Sequence, residues 1–244
     1  MYKLMKILRY TISLLFVLSY LSGAGQKAKR DYVPSEVIFA ADVVGLGTTL
    51  FTNETKLEFH SKIDFHHFYL AADFGTSKIN PSTEQFNYSS QGTFFKVGPH
   101  VNFMPYNKHR GSIYFGLMYA NSYFNDRITY SQSNDAWGDS SFELSNDNLK
   151  SRWFEANIGM NVKVAGPLYL GYMLRFKFAN TLTGAGELEP LEIPGFGPAN
   201  KGANFGFNYY IIYKLRFRDK PIPKRPIKVR TQERDENNSP SKGI

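Results

Sequence analysis

Glu155 is the residue around which chemistry could gather. It lies in Phe154-Glu155-Ala156-Asn157-Ile158, and two bases, Arg175 and Lys177, follow beyond Ala165-Gly166-Pro167, where a hairpin would bring them back alongside it. A carboxylate held between cations can be a catalytic base or a gate. It can also be a paired structural charge, and that is the stronger reading, because an unpaired buried charge is expensive. Lys96 and Lys163 fall on the polar parity of their own segments. Glu155, Arg175, Lys177, Lys96 and Lys163 are therefore the candidate charge network.

The other chemistry-bearing residues are sparse. His66-His67, next to Asp64, could ligate a metal, but a pair at a turn is read as solvated, and no metal site is expected. Ser61 could be a nucleophile only with a histidine on the same face, and strand parity places none beside it. No catalytic constellation, phosphate loop or zinc spacing is present, and no cofactor is expected. There is no cysteine, which removes disulfides, thiolate metal sites and a lipoprotein anchor. The net charge of +8 does not argue for nucleic acid, since most charges lie within strand-like segments or at the C-terminus.

Those segments are defined by period two. From Asn204 to Phe217 every odd residue is apolar or aromatic, while the even ones include Asn204, Asn208, Lys214 and Arg216. Alternation over fourteen residues is long for a globular strand, which runs about 5–6. The same period recurs near 168–179, 154–164, 113–120, 95–103, 68–75 and 57–65, and least clearly from Val37 to Gly47, where Asp42 is the expected inward residue. That makes eight strands, and 21 Phe with 16 Tyr supply a greasy face that alternation dilutes twofold.

The connectors separate into two kinds. Those around Phe65–His67, Met104–Arg110 and Ala165–Pro167 read as short inner turns. Lys78–Gln91, Asn125–Lys150 and Thr181–Lys201 read as long outer loops, as in membrane barrels. Ile193-Pro194-Gly195-Phe196-Gly197 is read as an ordinary tight turn, with a loop plugging the outer mouth as the other option. A lipid-facing Arg or Lys at mid-membrane costs about 2–4 kcal/mol, so the charged face must point inward. The expected fold is all-β: an antiparallel up-and-down transmembrane β-barrel over residues 37–217 whose lumen is filled with polar side chains.

The flanks differ. Lys3, Lys6 and Arg9 precede an apolar run from Thr11 to Leu21 and the small residues Ser22-Gly23-Ala24, the order of a secretory signal peptide over residues 1–25, with cleavage after Ala24 or Gly25. Residues 26–36 read as a periplasmic lead-in. The tail 218–244 holds eight Lys or Arg, four acids and four prolines, a composition expected to stay extended and disordered in the periplasm. Lys220, Lys224, Arg225, Lys228 and Arg230, interleaved with prolines, are its candidate partner-binding residues.

Ser151-Arg152-Trp153-Phe154-Glu155, Leu168-Tyr169-Leu170-Gly171-Tyr172, Ile193-Pro194-Gly195-Phe196-Gly197 and Phe205-Gly206-Phe207-Asn208-Tyr209, in that order, resemble an uncharacterised Bacteroidota outer-membrane β-barrel family known only as a domain of unknown function. Gly92-Thr93-Phe94-Phe95-Lys96-Val97-Gly98 is similar to its N-terminal half, and the likeness covers Val37 to Phe217. It implies an outer-membrane address and no activity. A tail after Phe217 departs from barrels that end on an aromatic residue. The expected role is a structural or accessory subunit, or scaffold, of an outer-membrane assembly. It would contact outer-membrane lipids and, through the tail, other membrane or periplasmic proteins. A small-barrel lipid-modifying enzyme is the alternative.

Overall fold

In the computed structural model, residues 32–82, 86–132, 140–219 and 221 are described. The expected signal peptide, most of the lead-in, and the tail residues Lys220, Lys224, Arg225, Lys228 and Arg230 lie outside them. The elements run β1 (Glu36–Asp42), α1 (Val43–Phe51), β2 (Thr55–Phe65), β3 (Phe68–Ile79), β4 (Phe86–Asn102), β5 (Ser112–Gln132), β6 (Ser140–Ala165), β7 (Leu168–Thr183), β8 (Glu192–Ile193), β9 (Gly197–Pro198) and β10 (Ala203–Arg216). Eight strands form a closed antiparallel barrel in the order β1-β10-β7-β6-β5-β4-β3-β2. β1 closes it, pairing with β10 from Glu36↔Arg216 to Asp42↔Tyr210 and with β2 from Val37↔Ile63 to Ala41↔Phe59. Closure leaves no sheet edge to protect.

Alternation follows the sequence pattern. On β3 the side chains of Tyr69, Ala71 and Asp73 are buried, while Phe68, Leu70, Ala72 and Phe74 are exposed. The same split holds along β6 and β10, so the charged parity faces in and the aromatic parity faces out. Among the described residues no helix is long and apolar enough to cross a membrane, which bears on helices only.

Three expectations are corrected. The first strand ends at Asp42, and Val43–Gly47 is helical instead. The cause is Asp42 itself: its carboxylate accepts from the backbone N–H of Val44 and Gly45, both at 3.2 Å, and so caps α1. Much of the expected outer loops 78–91 and 125–150 is strand, giving β5 21 residues and β6 26. Their Ser, Asn and Asp content reads as loop, yet Tyr88, Ile128 and Leu188 are buried among themselves at that level and give the extension an inside. Connector length does not segregate cleanly either. The inner link Phe103–Gly111 is longer than the outer link 80–85, so the asymmetry between ends resides in the rising strands.

The third correction concerns 184–202. Ile193-Pro194-Gly195-Phe196-Gly197 is more than a surface turn, because β8 and β9 make a small hairpin whose Ile193 and Phe196 are buried among Phe94, Ala120, Phe124, Leu149 and Trp153 inside the ring. Phe196 meets the Trp153 indole edge-on at 5.6 Å between centroids. Gly195 is required twice over: its φ is 81°, and a Cβ there would overlap the Phe94 ring. The hairpin plugs the mouth of the ring on the side of the expected outer loops, here called the outer mouth.

The inner mouth is closed differently. Asp64 accepts from Ser35 N at 2.6 Å, Ser35 Oγ at 2.9 Å and Glu36 N at 2.7 Å. Lys214 Nζ donates to the Arg110 carbonyl at 2.8 Å, lies over the Tyr169 ring and faces Glu36 at 3.7 Å, which draws Phe103–Gly111 across the opening.

Candidate functional site

The centre of the lumen is built on Arg175, a fully buried guanidinium on β7. Its Nη1 donates to Glu155 Oε2 at 2.8 Å, its Nη2 to Glu58 Oε1 at 2.6 Å and to Tyr210 Oη at 2.7 Å, and its Nε to Asn208 Oδ1 at 2.7 Å. Asp73 Oδ2 lies 2.8 Å from the same Nη2. One side chain thus joins β2, β3, β6, β7 and β10 across the barrel. A planar guanidinium with several donors in fixed directions suits this position, and a lysine could not replace it.

Lys96 on β4 completes the carboxylate side. Its Nζ lies 3.3 Å from both Glu58 Oε2 and Glu155 Oε1. Glu155 also accepts from the Trp153 indole N–H at 2.9 Å. The buried acid is therefore met by two cations and a neutral donor, which is what makes its burial tolerable.

Below this layer runs an aromatic column. Tyr210 stacks on His60, His60 on His100 and His100 on Tyr114, with centroids 5.5, 5.9 and 5.2 Å apart. His60 Nδ1 is hydrogen-bonded to Asp73, and Lys62 Nζ sits 3.1 Å from the Tyr114 ring centroid, a cation–π contact in a dry setting. Gly116 makes room for the His100 imidazole, which any Cβ there would overlap. Among the described residues, His100 offers both ring nitrogens, and Asn157 its whole amide, without a protein partner.

Of the five residues expected in the network, three come together around Glu155. Glu155, Arg175 and Lys96 meet directly. Lys177 stands opposite Glu155 in register, but its ammonium turns toward the plug and donates to the carbonyls of Gly195 at 2.8 Å and Phe196 at 3.2 Å. The diagonal neighbour Arg175, not the in-register one, makes the ion pair. Lys163 is a correction: it is exposed, near the inner end of β6, where the ladder slips between Lys163 and Ala165. Strand parity identified inward charges but could not rank them by depth. Glu58 and Asp73 share the charged parity of β2 and β3, which marks a face and not a partner, and the sequence reading does not single out Tyr210, Asn208 or Trp153 as polar partners. Tyr210 and Asn208 shared the inward parity of β10, which was the available signal.

Two further candidates are placed apart. His66 and His67 form the two-residue turn between β2 and β3, their rings edge-to-face at 3.9 Å, with His66 at φ 64°. Ser61 faces outward and donates to the Ala72 carbonyl at 3.1 Å, while its neighbour His60 faces the lumen. A pocket of about 210 Å³ at the outer mouth is shared by α1, β2 and the plug, with Asp42, Glu58, Lys177 and Glu192 on its wall. Burial raises the Glu192 carboxyl above the usual range, against the pull of Lys56 and Lys177 nearby.

The arrangement balances and fills. Its central acids, Glu58, Asp73 and Glu155, are each met by a fixed cation. No curated protein and no solved structure matches the chain. The family described as "Domain of unknown function (DUF6048)" matches residues 7–220, from the apolar N-terminal run through the last strand, and the chain belongs to that family.

Proposed function

We propose that the ring is a small outer-membrane β-barrel of a Gram-negative cell of the Bacteroidota, and that it serves as a structural or accessory subunit of an outer-membrane assembly. The observation that carries this reading is the outward apolar band. Phe39, Phe59, Phe74, Phe95, Leu117, Phe154, Phe176 and Phe207, one from each of the eight strands, are all exposed. A monomer in water rarely shows contiguous apolar patches beyond a few hundred Å². Lipid is the solvent that suits a closed ring with such a belt and inward charges.

The filled lumen supports a scaffold over a pore. The Arg175 cluster crosses the centre, the 184–202 hairpin occupies the outer mouth and the Phe103–Gly111 link the inner one. A lipid-modifying enzyme would need nucleophile and base together on the lipid face, and Ser61 and His60 point to opposite sides. The N-terminal leader is read as the export signal. The tail leaves from the inner end, where Phe217 N donates to the Ser35 carbonyl at 3.2 Å. Its basic residues Lys220, Lys224, Arg225, Lys228 and Arg230 are proposed to tether a periplasmic or membrane partner of acidic character.

Native purification from detergent-extracted membranes tests the role. Co-purifying proteins in fixed ratio, lost when residues after Asp219 are deleted while the barrel still inserts, support it. A lone barrel with an unchanged profile after the deletion refutes both the tether and the accessory role.

A further inference from the structure

The outward face is not uniform around the ring. On β6 it runs from Phe154 to Arg152 and Lys150, which stand opposite Tyr119, Asn121 and Tyr123 on β5. Phe154 packs against Tyr119 and Phe178, with centroids 5.4 and 6.2 Å apart, so three aromatic rings end abruptly beneath two cations. Among the described residues neither Lys150 nor Arg152 pairs with a carboxylate. Lys150 Nζ lies 5.8 Å from the Tyr123 ring centroid. Being two residues apart on one strand, the two bases point the same way about 7 Å apart.

Above them opens a groove of about 660 Å³ on the outside of β4, β5 and β6. Lys150 and Tyr123 form part of its wall, with Gln91, Thr93, Asn125 and Asn148, and Asp147 also lines it. The groove is shaped by the slip in the β5–β6 ladder between Phe124 and Asp126, where Asn148 adopts φ 59° and its N–H donates to Asn125 Oδ1 at 2.8 Å. From the inner end outward, this face reads aromatic, cationic, then mostly amide and hydroxyl, with Asp147 and the Arg127–Glu143 ion pair at its far side.

We propose that this face of β4–β6 binds a phosphorylated glycolipid. Acyl chains lie along Phe154, Tyr119 and Phe178, the phosphate sits on Lys150 and Arg152, and the sugar hydroxyls meet Gln91, Thr93, Asn125 and Asn148, with Tyr123 as a stacking platform. The proposal rests on the membrane reading above and adds the class of lipid. A phospholipid would satisfy the two cations but leave the amide-lined groove unused, and the groove is what favours a sugar headgroup.

The full chain, purified in detergent, is incubated with bis-phosphorylated lipid A, with dephosphorylated lipid A, or with phosphatidylglycerol, and bound lipid is read by native mass spectrometry. Retention of bis-phosphorylated lipid A at least tenfold above the other two, lost in the K150A/R152A double variant, is the expected result. Both positions are exposed, so the variant should still insert into phosphatidylcholine vesicles as the parent does. Equal retention of phosphatidylglycerol, or a double variant that binds lipid A like the parent, overturns the proposal while insertion stands. Failure of the parent to enter phosphatidylcholine vesicles overturns the membrane reading itself.

Discussion

Arg175 and Glu155 meet one step off register. The β6–β7 ladder sets Arg175 opposite Asn157 and Glu155 opposite Lys177, yet guanidinium and carboxylate close to 2.8 Å along the diagonal. Because Arg175 also holds Glu58, Asp73, Tyr210 and Asn208, this diagonal couples five of the eight strands of the barrel through one buried side chain.

Replacing Glu155 with Gln should therefore lower stability by about 3–5 kcal/mol, the cost of removing one partner from a buried ion pair. Arg175→Met should cost more, since three carboxylates lose their common donor. Lys163→Ala, at an exposed position, should change little. The midpoint of heat-induced mobility shift on unboiled gels gives the ranking, and a Lys163 variant as damaged as Glu155→Gln would contradict it.

Asp42→Ala removes the cap of α1 and a partner of Asn208, whose Nδ2 donates to Asp42 Oδ2 at 3.0 Å. A loss of about 1–2 kcal/mol is expected from the cap alone. Amide hydrogen exchange should accelerate in Val43–Phe51 and leave β5 and β6 protected.

Lys177→Met should loosen the plug and spare the wall. Two hydrogen bonds from a charged donor to the Gly195 and Phe196 carbonyls are lost, and roughly tenfold faster exchange across the 184–202 segment is expected. Unchanged exchange would show that Phe196 and Ile193 hold the hairpin by packing alone.

The plug should also respond to pH through Glu192. Its folded-state pKa is raised, chiefly by burial, so the native form binds its proton more tightly than the unfolded form. Stability from this group is present below the unfolded-state carboxylate pKa and falls as pH rises through the raised folded value. The hairpin should be better protected under mild acid than at neutral pH, and Glu192→Gln should remove that difference. Protection that increases with pH in the parent, over this window, would reverse the sign.

Strand number, facing and the inward charges were legible because period-two alternation is a local property: each of Leu174, Arg175 and Phe176 declares its side by parity. Depth was not legible. Parity assigned Lys163 and Arg175 to one face, and only the position of each along the barrel axis separates the exposed lysine from the buried arginine. Asp42 looked like another inward strand residue, and its capping role depended on Val44 and Gly45 turning back toward it. The plug was hidden for a different reason. Ile193 and Phe196 acquire their partners Phe94 and Trp153 from strands far away in sequence, and no local period records that.

The aromatic face is proposed to meet lipid, and single cysteines test this directly in a chain that has none. Bimane attached at Leu117→Cys, Leu174→Cys and Ile211→Cys, on β5, β7 and β10, should be quenched by brominated acyl chains in vesicles and be shielded from aqueous iodide. The same probe at Lys78→Cys or Asn125→Cys, outward beyond the aromatic band, should respond to iodide. Iodide quenching at Leu117, Leu174 and Ile211, with no effect of the brominated lipid, would contradict the membrane-spanning account.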